Sequence, residues 1–272
     1  MFTPEIKKTI HQLESSNLNR TVELEMYIPE QLLGNETLHL LLLNDGQDAA
    51  AMNMKALLAK QYTSRKIEAV LVVAIKASAN RSQEYGVAGM PDFMHRGTLA
   101  AAYTRFITEE LMPFIQAQVN RKIDGKTAFA GFSLGGLSAF DIVYNHPEIF
   151  DLAGVFSGAF WWRSKDLNDG YIEELDRIAH EMVRSSKGKP DLKFWLMTGT
   201  EDETADRNRN YIIDSIDDTI DLIRELENKG FKRPEEIFYY EVVGGKHDVE
   251  TWAQAFPAFL CWAFPPVIKG WL

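Results

Sequence analysis

The 272-residue sequence predicts an α/β fold: a mostly parallel central sheet with an antiparallel N-terminal edge and helices on both faces. Three observations carry this. Short apolar runs without polar alternation recur along the chain, as strands buried on both faces require. Stretches with helical spacing separate them, and the N-terminal segments instead alternate like a half-exposed strand pair.

In chain order, "IKKTIHQLE" and "TVELEMYIP" (21–29) are predicted to pair as a hairpin across "SSNLN". The buried strands are "LHLLLLN" (38–44), "AVLVVAI" (69–75), "KTAFAG" (126–131), "LAGVFSG" (152–158), "KFWLMTG" (193–199) and "IFYYEVVGG" (237–245). Helices are predicted over 49–62, 99–119, 134–147, 169–186 and 211–230, the last stopping at Gly230, and a further helix starts behind the final strand. No repeat, low-complexity tract or linker interrupts the pattern, so residues 1–272 read as one domain. Two irregular stretches, 76–98 and 157–168, follow strand ends, which is where open α/β sheets bind ligands.

With 29 Lys+Arg against 39 Asp+Glu, the net charge of −10 argues against nucleic acid or an anionic membrane as partner and favours a small-molecule substrate. The single cysteine, Cys261 in "FLCWAF", excludes an intramolecular disulfide and is expected to pack in the core. There is no signal-peptide pattern and no run of 18 apolar residues, so a cytoplasmic protein is expected. Neither a phosphate-binding glycine loop nor an H-E-x-x-H pair occurs, so no cofactor and no metal are expected. A homo-oligomer stays open.

The stretch "AGFSLGGLSAF" (130–140) places Ser133 between Gly131 and Gly135 where a strand passes into a helix. In that context G-x-S-x-G reads as a nucleophile elbow: the glycines leave room for a strained turn, and the hydroxyl points out over the sheet. The N–H of Leu134, at the helix start, then faces any charge forming on a bound carbonyl oxygen.

A serine needs a base. Of the six histidines, His11, His39, His95, His146, His180 and His247, only His247 follows the last strand, in "VVGGKHDVETW". The third member is a carboxylate that fixes the imidazole tautomer. "FWLMTGTEDETAD" offers Glu201, Asp202, Glu203 and Asp206; Asp202 is selected, with Glu201 second. The order serine, acid, histidine is that of an α/β-hydrolase. A second oxyanion donor is expected from the loop after the first parallel strand, "LLLLNDGQD", as the N–H of Gln47, with Asp45 ordering the loop. Trp161 and Trp162 with Arg163 form a candidate substrate platform, the rings for aromatic or sugar groups and the guanidinium for a carboxylate. Arg81, Glu84 and Tyr85 are candidates for the opposite wall.

With "LLLNDGQD", "GFSLGG", "FSGAFWW", "MTGTED" and "GGKHDVETWAQAFPAFL" in this order, the chain resembles the esterase family of the α/β-hydrolase fold over roughly residues 15 to 262. That family includes esterase D-type enzymes, feruloyl and acetyl-xylan esterases, siderophore trilactone esterases and mycolyltransferases. The D-G-Q turn and paired tryptophans look most like the trilactone branch, and the His-Gly oxyanion turn of other branches is absent, with Asp45-Gly46 in its place. The resemblance implies a triad of Ser133, Asp202 and His247 and a pocket lined by "SGAFWW". The expected activity is hydrolysis of a small or medium-sized carboxylic ester through an acyl-enzyme. An acyltransferase on the same triad, and a non-catalytic binding module, are the alternatives.

Overall fold

The computed structural model describes residues 5–30, 32 and 36–266. β1 (Ile6–Ser15) and β2 (Arg20–Pro29) form the expected antiparallel hairpin, paired from Ile6↔Pro29 to Ser15↔Arg20. Six further strands follow: β3 (Leu38–Leu43), β4 (Ala69–Ile75), β5 (Thr127–Phe132), β6 (Leu152–Phe156), β7 (Lys193–Glu201) and β8 (Ile237–Lys246). They make one sheet in the order β1-β2-β4-β3-β5-β6-β7-β8, antiparallel up to the β2/β4 pair and parallel beyond it. This is the mostly parallel α/β-hydrolase sheet with its antiparallel edge.

Helices α1 (Met54–Thr63), α2 (Arg81–Glu84), α3 (Ala100–Arg105), α4 (Met112–Gln118), α5 (Leu134–Asn145), α6 (Glu173–Asp176), α7 (Ile178–Ser185), α8 (Asp214–Asn228) and α9 (Val249–Ala263) cover it. Successive residues of β3 enter opposite layers, because strand side chains alternate. Leu40 and Leu42 pack with α5, α7 and α8, while Leu41 and Leu43 pack with α1 and α9. Each such leucine, fully buried, contributes about 1.5–3 kcal/mol relative to exposure. α9 lies directly on the sheet, since a Cβ at Gly154 would meet the Phe259 ring at 2.6 Å. Cys261 is partly exposed on α9 rather than in the core, its thiol turned toward Gln61. Among the described residues no helix is long and apolar enough to cross a membrane.

Three helices differ from the sequence expectation. The segment 49–62 starts late because Asn53 takes a left-handed backbone (φ 53°), so the chain forms a 3-10 turn at Gly46–Ala49 before α1 begins. The segment 99–119 carries a π-helical turn, Phe106–Leu111, just ahead of Pro113, which cannot donate an N–H to a regular ladder. The segment 169–186 breaks at Arg177 (φ −79°, ψ 110°), whose buried guanidinium is drawn to Asp218 and Asp221 of α8.

That last interaction anchors two of the loops above the sheet. Arg207 also reaches Asp218, and with it Glu173, so one buried carboxylate on α8 serves cations from both the α6–α7 segment and the loop after β7. Removing one partner of such a network leaves uncompensated buried charge. Asp218→Ala is therefore expected to cost about 3–5 kcal/mol, measured as the shift in urea-unfolding midpoint, whereas Asp221→Ala, at the more exposed end, costs clearly less.

Candidate active site

All parallel strands of the sheet end on one side, and the polar residues singled out by the sequence gather there. Ser133 follows β5 with φ 53° and ψ −122°, a strained conformation for a residue with a side chain. Its neighbours enforce the turn. A Cβ on Gly131 would stand 2.3 Å from the Gly135 carbonyl oxygen, and one on Gly136 would stand 2.9 Å from Val155. The Ser133 N–H donates to Phe156 (2.9 Å), and its carbonyl accepts from Gly136, Leu137 and Ala159. With the backbone saturated, the partly exposed side chain is left standing at the start of α5.

Beside it, the loop after β3 is locked by polar contacts. Asn44 donates to the Gly135 carbonyl (2.8 Å) and accepts from the Tyr103 hydroxyl (2.6 Å). Asp45, also left-handed at φ 58°, takes a bidentate pair from Arg81 at 2.6 and 2.7 Å, and its N–H donates to the Tyr85 hydroxyl. Asp45 thus orders the loop, as expected. Among the described residues neither the Gln47 N–H nor the Leu134 N–H has a backbone or side-chain acceptor.

Asp202 lies at the end of β7, buried, with Oδ2 accepting from the Gly199 N–H (3.1 Å) and Oδ1 from the Ser157 hydroxyl (3.0 Å). Burial raises its pKa, and those two hydrogen bonds and the nearby His247 oppose the rise. His247 lies beyond β8, its ring set edge-on to Trp252 at 5.3 Å with one side open to solvent. Desolvation on its packed side lowers its pKa below 6.5, Asp202 pulls it back up, and the Arg81 cation lowers it further. Of the four carboxylates in 201–206, only Asp202 acts on that ring. Among the described residues the ring has no hydrogen bond to Asp202 or Ser133; such contacts commonly close only with substrate in place.

The other histidines are engaged elsewhere or stand apart. His11 pairs with Thr9, His39 with Glu68 and the Lys126 N–H, His146 with Glu148, and buried His180 with the Asp218 carbonyl, while His95 is exposed in its loop.

Two of the expected substrate contacts are corrected. Tyr85 is fully buried as a pillar under Asp45, and Trp162 is fully buried with its N–H on the Met90 carbonyl and its ring against Gly86 and Gly97. Aromatic side chains in loops can be the loops' own core, and these two are. Glu84 is likewise buried, held by Arg20 and Ser78. Arg81 and Trp161 keep partly exposed surface near the strand ends.

Sequence reading missed Ser157 and Trp252. The Trp252 N–H donates to the Ser157 oxygen (3.0 Å), and the hydroxyl of Ser157, left-handed at φ 48°, donates in turn to Asp202. The serine in "FSGAF" and the tryptophan in "DVETW" were visible, but nothing local links them. Ser157→Ala would strand a buried indole N–H and one carboxylate oxygen, so a loss of about 1–3 kcal/mol is expected in chemical denaturation. Gly131→Ala should cost at least as much, because its clash is with backbone that cannot step aside.

Comparison with known proteins agrees with this architecture. Over 111 residues the chain is 32% identical to a siderophore enterobactin esterase from Emericella nidulans, covering 40% of this chain and 35% of that protein. The enterobactin esterase of Shigella flexneri superposes with a TM-score of 0.73 at 19% identity, over 95% of this chain and 58% of that one. The siderophore hydrolase EstA of Aspergillus nidulans superposes with a TM-score of 0.67 at 19% identity, over 94% of each chain. This chain therefore spans little more than half the Shigella protein, and its match to the Emericella protein covers about a third of it. The Esterase family model matches residues 15–263, nearly the whole chain, and the protein belongs to that family.

Proposed function

We propose that the protein is a serine carboxylic-ester hydrolase in which Ser133 attacks the ester carbonyl, His247 takes the hydroxyl proton, and Asp202 orients and balances the imidazolium. The observation that carries this reading is the strained Ser133 turn, together with the N–H groups of Leu134 and Gln47, which among the described residues have no acceptor. Both N–H groups belong to segments clamped to each other through Asn44 and Gly135, which is the preorganisation an oxyanion hole needs. Collapse of the tetrahedral intermediate expels the alcohol, protonated by His247, and leaves an acyl-enzyme that water hydrolyses by the same steps reversed. Membership of the Esterase family and the likeness to siderophore esterases support ester chemistry and place siderophore-type esters in the substrate panel.

Ser133→Ala should lower ester hydrolysis by at least about 10³-fold with the unfolding transition preserved, since it deletes the nucleophile at little packing cost. A folded, active variant would overturn the assignment. Running the panel with and without an added alcohol separates hydrolysis from acyl transfer.

The pH profile follows from the charges around His247. Only the neutral imidazole accepts a proton, so kcat/KM should rise with pH through an apparent pKa below the ordinary 6.5, because desolvation and Arg81 disfavour the imidazolium. Asp202→Asn removes the charge that raises this pKa and should move the limb to lower pH while depressing the plateau; Glu201→Gln should do neither. Arg81→Gln removes a charge that lowers it and should move the limb the other way. Equal shifts in both variants would contradict the assignment.

A further inference from the structure

The loop after β6 leads from the nucleophile to an unpaired cation. Ala159 donates its N–H to the Ser133 carbonyl (3.1 Å), the Trp162 N–H returns to Ala159 (3.1 Å), and Arg163 follows. Arg163 lies four positions beyond Ala159, at most about 14 Å of chain even if extended, and the turn shortens it. The Arg163 guanidinium packs against two rings, with its centre 4.7 Å from Phe93 and 5.9 Å from Tyr171. Its Nε is buried with no hydrogen-bond partner, and among the described residues no carboxylate reaches it.

Most of the other partly or wholly buried arginines among the described residues are paired. Arg20, Arg81, Arg96, Arg177, Arg184 and Arg207, all partly or wholly buried, each hold at least one carboxylate. Several acidic side chains on the segments flanking Arg163 are committed elsewhere: Asp92 to Arg96, Asp166 to Asn168, Glu173 to Arg207 and Arg177, and Asp176 to Ser164 and Lys165. In a chain of net charge −10, a partly buried guanidinium that meets no carboxylate among the described residues is short of an anion. The two rings supply part of its solvation, and a planar guanidinium matches the geometry of a carboxylate.

We propose that Arg163, braced by Phe93 and Tyr171, forms a subsite for a carboxylate on the ester substrate. A single guanidinium in an acidic protein matches one negative charge rather than a polyanion. This inference rests on the reading of Ser133 as nucleophile for its kinetic readout, but not for its binding readout.

Two matched ester pairs test it: 4-acetoxybenzoate against 4-acetoxybenzamide, with the charge on the alcohol side, and 4-nitrophenyl hydrogen adipate against 4-nitrophenyl hexanoate, with the charge on the acyl side. The intact protein should favour the charged member of one pair, and Arg163→Gln should reduce that preference ratio by about 10- to 100-fold, mainly through KM. Arg163→Lys, which keeps the charge and loses the fork, should fall between. Calorimetry on the Ser133→Ala protein gives the independent readout: the charged ester of the favoured pair should bind, and should lose at least tenfold in affinity when Arg163→Gln is added. The proposal is overturned if neither charged ester binds better than its neutral partner, or if Arg163→Gln weakens charged and neutral members equally. Binding without turnover would sink the hydrolase reading and leave the subsite standing.

Discussion

A left-handed serine between two crowded glycines is the constraint on which the rest of this site depends. Holding a non-glycine residue at φ 53° and ψ −122° costs on the order of 1–3 kcal/mol, and such a conformation persists only where its surroundings over-determine it. Here they do. The Ser133 backbone ties β5 to β6 through Phe156, starts α5 through Gly136 and Leu137, and holds the following loop through Ala159. Strand, helix and loop therefore converge on one residue whose side chain is left over.

The neighbouring loop is fitted to that turn rather than merely adjacent to it. A Cβ on Gly135 would stand 2.4 Å from an Asp45 side-chain oxygen, so the Asp45 carboxylate lies against the first turn of α5 where only glycine leaves room. Arg81 then does two things at once. It neutralises Asp45, which makes a buried carboxylate tolerable at this distance, and its charge reaches His247, where it favours the neutral ring. Structural and electrostatic roles thus coincide in one cation.

Much of this was legible in the sequence, for a physical reason. The non-alternating runs, the G-x-S-x-G stretch and the final G-G-K-H loop are local patterns, so β3 to β8, the Ser133 turn and the position of His247 after β8 could be read from neighbours in the chain. What escaped depends on distant partners. The bonds joining Trp252 to Ser157 and Ser157 to Asp202 span 95 and 45 residues. Tyr85 and Trp162 resembled ligand contacts because they lie in long loops; only the fold reveals that the loops bury them. The break at Arg177 likewise belongs to Asp218, 41 residues away, not to any helix-breaking residue beside it.

Left-handed residues with side chains also mark where this fold departs from the simplest agreement between sequence and structure. Asp45, Ser133 and Ser157 follow β3, β5 and β6, three strands that lie side by side, and all three take positive φ. The strands beneath them are apolar, buried and regular, so their hydrophobic burial carries the strain above. Each of the three turns a polar side chain to a place a straight strand end would not reach: Asp45 to Arg81, Ser157 to Asp202, and Ser133 to the opening between them. Positive φ also occurs in turns elsewhere, at Asn19, Asn53 and Arg209 among others; what sets these three apart is that each ends a buried strand of the sheet with a polar side chain. With the sheet otherwise consistent from pattern to packing, this line of strand ends is where the sequence departs from what stability alone asks, the departure expected of a functional site.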